Sequence, residues 1–145
     1  MKEGRGAREE GRGKREEGGI MEFTDLRVWQ EAKELVLKTY KVTAKFPKAE
    51  TYTLSDQLKR STNSICANIA EGFNRFHAKD KIRFYYNARG SISESQSHLL
   101  ISQDLNYLNK DEVDKLVQEL TVVGVKLNNM IASLFRIAAS RNKSL

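Results

Sequence analysis

The stretch Ser64-Ile65-Cys66-Ala67-Asn68-Ile69-Ala70-Glu71-Gly72 decides the fold of this chain. It sets small and polar residues inside an apolar pattern with helical spacing, and Ala88-Arg89-Gly90-Ser91 followed by Glu94 repeats this mixture. We therefore expect two helices that pack closely through a shared polar seam. The predicted seam consists of Ser64, Asn68, Glu71, Gly90, Ser91 and Glu94, with Asn87 and His98 on the same face.

Within this seam, Gly90 would let the two backbones approach, because glycine has no side chain. Ser64 and Asn68 are then expected to hydrogen-bond Glu94 across the contact, since buried polar groups need partners. A satisfied network of this kind can fix the register of two helices.

The first predicted helix starts at Thr24. It ends near Lys45, because Pro47 follows and disfavours helical backbone before it. Trp29, the single tryptophan, is expected as a core anchor. The predicted apolar face consists of Leu26, Trp29, Ala32, Val36, Tyr40 and Thr43.

The second helix is predicted to begin at a capping box formed by Thr53 and Asp56, and Gly72 and Asn74 suit its end. The third covers residues 79–107. Its apolar residues are Ile82, Tyr85, Tyr86, Ile92, Leu99 and Leu100.

The fourth helix is predicted to be capped by Asn109 with Glu112, and after Arg136 its sequence becomes small and polar. Because the connections are short, successive helices should be antiparallel neighbours. The predicted fold is an all-α, up-down-up-down four-helix bundle with a disordered N-terminal tail.

Composition divides the chain into a charged, glycine-rich, disordered tail (1–20), the bundle (21–140) and a frayed C-terminus (141–145). Cys66 is the only cysteine, which excludes an intrachain disulfide and suits a reducing compartment. No apolar run approaches the roughly 20 residues of a membrane span. We expect a soluble, cytoplasmic protein without a membrane partner.

The net charge is +6, and residues 56–89 contain seven bases and three acids. This local excess of positive charge indicates an anionic partner such as nucleic acid. A solvated basic surface explains this excess equally well. The candidate nucleic-acid-binding residues are Lys59, Arg60, Arg75, Lys79, Lys81, Arg83 and Arg89.

Residues that could support catalysis are few. His77 and His98 do not stand at metal-ligand spacing, and no cofactor motif is present. Cys66 is expected as a buried thiol rather than a nucleophile. An acid/base pair of Glu71 and Glu94 finds no further catalytic group to support it, so we predict no enzyme, no cofactor and no metal.

Two tyrosines lie near the basic residues Arg83 and Arg89. Tyr85 and Tyr86 could stack on bases, but packing in the core or between subunits is the favoured interpretation.

Together, these motifs resemble a family of four-helix-bundle proteins encoded within intervening sequences of bacterial 23S ribosomal RNA genes. The resemblance runs from about residue 23 to residue 136. It rests on Asp25-Leu26-Arg27-Val28-Trp29, Phe46-Pro47, Gln57-Leu58-Lys59-Arg60, Ser64-Ile65, Asn68-Ile69-Ala70-Glu71-Gly72, Ile82-Arg83-Phe84, Tyr86 and Ala88-Arg89-Gly90-Ser91 with Glu94.

The resemblance implies a ring-like homopentamer without established enzymatic activity and with a basic surface suited to nucleic acid. It also implies RNA or a nucleic-acid enzyme as a partner, since a related bundle is a basic accessory partner of reverse transcriptases.

The chain departs from the family pattern at several positions. Cys66 stands where the family often has proline, and His77 replaces a usual serine cap, which is expected to loosen the start of the third helix. Apolar residues are usual where Asn63, Lys81, Asn87 and Ser95 stand. If Lys81 and Ser95 faced a neighbouring subunit, they would disfavour the pentamer.

These observations predict a non-enzymatic, self-associating bundle that binds RNA through its basic surface. The alternative is a protein–protein adaptor or scaffold without nucleic-acid binding, for example an accessory partner of a reverse transcriptase. An enzyme using Glu71 and Glu94 is the third and weakest interpretation.

Overall fold

The structure is a computed structural model that describes residues 19–143. Within this range the chain forms four α-helices and no strand, which confirms the predicted all-α fold. Two short 3-10 turns precede α1 and α2. The helices are α1 (Arg27–Thr43), α2 (Leu54–Asn74), α3 (Ala78–Asp104) and α4 (Lys110–Lys143).

Each helix packs against its neighbours along the chain, and α1 also packs against α4, which closes the bundle. The up-down-up-down arrangement is therefore the one predicted from the short connections. Residues 1–18 of the predicted tail and residues 144–145 of the predicted frayed end lie outside the described residues, so both assignments stay predictions.

Three ion pairs join α4 to α1 and to Lys45, which follows just after the end of α1, at intervals of one heptad. Lys45 pairs with Glu112, Lys38 with Glu119 at 2.7 Å, and Lys126 with Glu31. Each step of seven residues down α1 matches a step of seven up α4. This ladder fits antiparallel helices in a single register, since a shift of one turn would separate all three pairs.

The buried face of α1 differs from the predicted one. Trp29 is partly buried against the core and meets the Phe23 ring edge-on at 5.2 Å, but Tyr40 is half exposed. Two overlapping stripes have helical spacing in α1, and the stripe with Tyr40 runs along the side towards α2, where Tyr40 meets Asn63. The buried residues of α1 are Val28, Ala32, Leu35, Thr39 and Thr43.

The predicted capping box of α2 is wrong. Thr53 makes no side-chain cap bond; its hydroxyl instead donates to the Glu50 carboxylate at 2.6 Å. Glu50 also accepts from the Leu54 amide at 3.2 Å and from the Tyr107 hydroxyl at 3.1 Å. These bonds, that from Thr53 above all, lower the pKa of Glu50. A carboxylate from the preceding turn thus caps α2.

The predicted cap of α4 is confirmed, because the Glu112 amide donates to Asn109 Oδ1 at 2.8 Å. α3 ends at Asp104 rather than at residue 107. Asn106 has a φ of 62°, a left-handed conformation that asparagine tolerates, and the Tyr107 amide donates back to the Ser102 carbonyl. This hydrogen-bonded C-terminal turn stops the helix.

α4 is the longest helix and is apolar enough over Lys110–Arg141 to cross a membrane, judged by length and composition alone. The core helix of a soluble bundle passes the same test. Here one face of α4 is buried against the other helices through Val113, Leu116, Leu120, Val123, Leu127 and Ile131.

Serine hydroxyls line the contact between α2 and α3. Ser91 Oγ donates to Ser64 Oγ at 2.9 Å, and Ser95 Oγ lies 2.7 Å from Ser61 Oγ. Ser95 is therefore buried within the bundle and does not face a neighbouring subunit. Asn68 donates to the Ser64 carbonyl and hydroxyl of its own helix, so it makes none of the cross-helix bonds expected of it.

Three predicted members of the polar seam lie outside this contact. Glu94 is exposed and meets His98 at 3.3 Å, while Glu71 is exposed and meets Arg75 at 4.0 Å. Gly90 is exposed, and a Cβ added there would meet nothing within 4 Å. The seam prediction is wrong here because the buried stripe of α3 is rotated by about one residue. That stripe runs through Ala88, Ile92, Ser95 and Leu99.

The close approach of α2 and α3 occurs at Gly72. A Cβ at this buried position would lie 2.6 Å from Tyr85 Cε1 and 3.1 Å from Phe84 Cβ. Only a residue without a side chain fits, so Gly72 has a packing role in addition to its place near the end of α2. This contact fixes the end of α2 against the first turns of α3.

Candidate nucleic-acid interface

Basic side chains gather where α2 passes into α3. α2 ends at Asn74 and α3 begins at Ala78, so residues 75–77 form a short connection. We call the group of Arg75, Phe76, His77, Lys79 and Arg83 the α2–α3 corner. All five residues are exposed.

One aromatic ring holds the two arginines of the corner. The Cζ atoms of Arg75 and Arg83 each lie 4.7 Å from the centroid of the Phe84 ring, which is itself buried. Such cation–π contacts limit the motion of a long side chain while leaving its charge at the surface. Two positive charges therefore stand close together at fixed positions.

The charges of the corner are weakly neutralised. Arg75 has only the long 4.0 Å contact with Glu71, and within residues 19–143 no carboxylate pairs with Lys79 or Arg83. Asp80 lies on the first turn of α3 and is the other acid nearby. The three cations are thus available to an anion from solution.

Lys81 is turned away from this surface, contrary to its prediction as a phosphate ligand. Its Nζ donates to the carbonyl oxygens of Phe73 at 2.6 Å and Gly72 at 3.2 Å, at the C-terminal end of α2. Burial lowers the pKa of Lys81. Its ammonium thus caps carbonyls in the last turn of α2, where a cation is favoured because carbonyl groups there lack intrahelical partners.

Lys59 and Arg60 form a second, separate basic group. Both lie on α2, sixteen and fifteen residues before Arg75, so this pair is about 24 Å from the α2–α3 corner along the helix axis. Arg60 pairs with Asp56 at 2.8 Å, and Lys59 Nζ lies 5.0 Å from the Tyr40 ring centroid. Their charges are therefore more engaged than those of the corner.

Arg89 belongs to neither group. It lies 5.3 Å from the ring centroid of Tyr86, which is half exposed, and it lines a shallow groove of about 200 Å³ between α3 and α4. Tyr85 is buried against Gly72, which agrees with the favoured core interpretation. The seven basic candidates are thus divided among separate surfaces.

The two carboxylates considered for acid/base chemistry do not meet. Because Ser61 lies opposite Ser95, Glu94 stands about 13 Å along the bundle axis from Glu71. Within residues 19–143 no three His, Cys, Asp or Glu side chains are placed to hold a metal ion. Cys66 is half buried, and this burial raises its pKa to about 11, so the thiol is a poor nucleophile at neutral pH.

Phe76 and Phe84 were missed by the sequence interpretation. Phe84 precedes two tyrosines and gives no separate signal. Phe76, however, stands between Arg75 and His77 just after a predicted helix end, and an aromatic residue among basic neighbours in a turn is a signal that the sequence offers.

Comparison with known proteins supports the resemblance. The profile of the family described as "23S rRNA-intervening sequence protein" matches residues 24–129. The chain is also similar to the crystal structure of a protein of unknown function from the S23 ribosomal protein family of Bacteroides thetaiotaomicron. That likeness has a TM-score of 0.65 and 21% sequence identity, and it covers 72% of this chain and 97% of the other. No curated protein matches the sequence. Neither description names an enzymatic activity.

Proposed function

The chain belongs to the family of 23S rRNA-intervening sequence proteins, and from this premise we propose that it is a non-enzymatic, self-associating bundle that binds RNA in the cytoplasm. The observation that carries the proposal is the exposed group of Arg75, Lys79 and Arg83 at the α2–α3 corner. Guanidinium and ammonium groups held at one place are suited to phosphate oxygens.

The proposal predicts a defined dependence on salt. Three phosphate contacts on a single strand correspond to a slope near −2 in log affinity against log salt, so affinity should fall roughly 20-fold between about 50 and 200 mM. Fluorescence anisotropy with a labelled RNA oligonucleotide measures this directly.

Matched variants locate the site. Arg75→Gln/Lys79→Gln/Arg83→Gln should remove most of the binding and flatten the salt slope. The control Lys41→Gln/Lys48→Gln/Lys115→Gln removes the same charge from exposed positions elsewhere and should bind nearly as well as the wild type. Equal losses in both variants would indicate attraction by net charge alone and would contradict a site at the corner.

Absence of RNA binding by the wild type, even at about 50 mM salt, would contradict the RNA proposal. It would favour the alternative of a protein adaptor, which requires a protein partner and no phosphate contact.

Self-association is the other part of the proposal. Large apolar side chains on α3, at its C-cap and on α4 are about half exposed and support it: Leu100, Ile101, Leu105 and Val125. Since the resemblance implies a pentamer, sedimentation equilibrium should give five times the 16.6 kDa of one chain. A monomeric mass at micromolar concentration would contradict it.

A further inference from the structure

Phe76 is the phenylalanine of the α2–α3 corner, and 83% of its surface is accessible to solvent. It does not belong to the hydrophobic core or to the side chains packed against it. Among the aromatic rings of residues 19–143, its ring meets that of His77, edge-on at 5.1 Å and 86°. One face of an aromatic ring is thus presented to solvent in a connection of three residues.

The surroundings of this ring are cationic rather than apolar. Arg75 precedes it directly, Lys79 follows within one turn of α3, and Arg83 is held beside Arg75 by Phe84. A protein partner that buried Phe76 would usually bring apolar side chains, and these would meet the charges. A strand of nucleic acid matches both features, since its bases have flat π faces and its phosphates are anionic.

An exposed aromatic ring is better suited to one form of nucleic acid than to the other. In a duplex the faces of the bases are covered by their neighbours, whereas in a single strand a base can stack on an aromatic side chain. We propose that the α2–α3 corner binds unpaired nucleotides, with a base stacked on the Phe76 ring and the neighbouring phosphates held by Arg75, Lys79 and Arg83. This inference rests on the proposed function and names the substrate class of the same site.

The test compares a labelled oligouridylate of about 12 nucleotides with a blunt RNA duplex of equal length. Phe76→Ala should weaken binding of the single strand about tenfold and leave binding of the duplex nearly unchanged, whereas Phe76→Trp should retain the single strand. The control is Tyr52→Ala, since Tyr52 is 91% exposed in the connection between α1 and α2 and lies outside the corner. It should bind both RNAs as the wild type does.

The outcomes separate the inference from the proposed function. If Phe76→Ala binds the single strand as tightly as the wild type while the triple basic variant does not, stacking is refuted and RNA binding stands. An equal loss on single strand and duplex also refutes stacking on a base. If the wild type binds neither RNA, both proposals fail. Because Phe76 is exposed, circular dichroism should show unchanged helix content and melting in every Phe76 variant.

Discussion

Replacement of Gly72 by alanine tests the contact that fixes the α2–α3 corner. The added methyl group would lie 2.6 Å from Tyr85 Cε1, which is shorter than the contact distance of non-bonded carbon atoms. Tyr85 is only 3% exposed, so its ring cannot swing into solvent. The second neighbour, Phe84 Cβ at 3.1 Å, is attached to the backbone of α3 and moves only if the helix moves.

The expected change in the free energy of unfolding follows from two opposing effects. Alanine in place of glycine inside a helix contributes about 1 kcal/mol of stability. Overpacking a well-filled contact costs about 1–3 kcal/mol. Gly90→Ala has the first effect without the second, because a Cβ at position 90 meets nothing within 4 Å. Gly72→Ala should therefore be less stable than Gly90→Ala by about 1–3 kcal/mol.

Urea unfolding followed by circular dichroism measures this difference in unfolding free energy, with one common dependence on urea concentration (m value) fitted to all variants. A third variant shows where the strain lies: adding Tyr85→Leu to Gly72→Ala removes the ring atoms that clash, so the double variant should be more stable than additivity predicts. Equal stabilities of Gly72→Ala and Gly90→Ala would refute the reasoning. So would a Gly90→Ala variant that is less stable than the wild type.

Three further predictions concern the rest of the bundle. A double-mutant cycle with Lys38→Ala and Glu119→Ala should give a coupling of about 0.5 kcal/mol that declines towards zero in about 1 M salt; unchanged coupling in salt would argue against an ion pair. The Cys66 thiol should react slowly with a disulfide reagent at pH 8 in the native protein and rapidly in urea. Its pKa is about 11 in the native state against 9.0 for the free thiol, so the stability it contributes is present below pH 9 and falls as the pH rises towards 11. Glu50→Gln should destabilise the protein at neutral pH. When the free energy of unfolding is plotted against pH, the curves of the variant and the wild type should converge in acid. The reason is that the bond from Thr53 lowers the pKa of Glu50 below 4.5, so its contribution is present above that pH and is lost as the pH falls; parallel curves at every pH would contradict this cap.

The helical spacing of apolar residues was enough to predict the fold. The number and order of the helices follow from local patterns, and their antiparallel arrangement follows from the short connections. The cap at Asn109 and Glu112 was predictable for the same reason, since both partners stand within one turn. At α2 the same motif failed, because the Thr53 hydroxyl donates to Glu50 of the preceding turn, and Glu50 caps the helix by accepting from the Leu54 amide.

The candidate site was predictable as a charge excess but not as an arrangement. Lys81, Arg83 and Arg75 have equal weight in a count of bases. In the fold, carbonyl oxygens at the C-terminal end of α2 bind the Lys81 ammonium, while the Phe84 ring holds the two arginines at the surface. Which of these two outcomes applies to a basic residue depends on how α2 and α3 pack against each other on either side of their short connection, and a count of charges does not contain that packing.

The sequence by itself determined that this chain folds as four antiparallel helices and belongs to its family. Only the tertiary structure decided how each helix is rotated about its axis. Two stripes in one helix can both have helical spacing, and packing against the other helices selects between them. That rotation buries Ser95 and Gly72, leaves Gly90 and Glu94 in solvent, and places the Phe84 ring against Arg75 and Arg83.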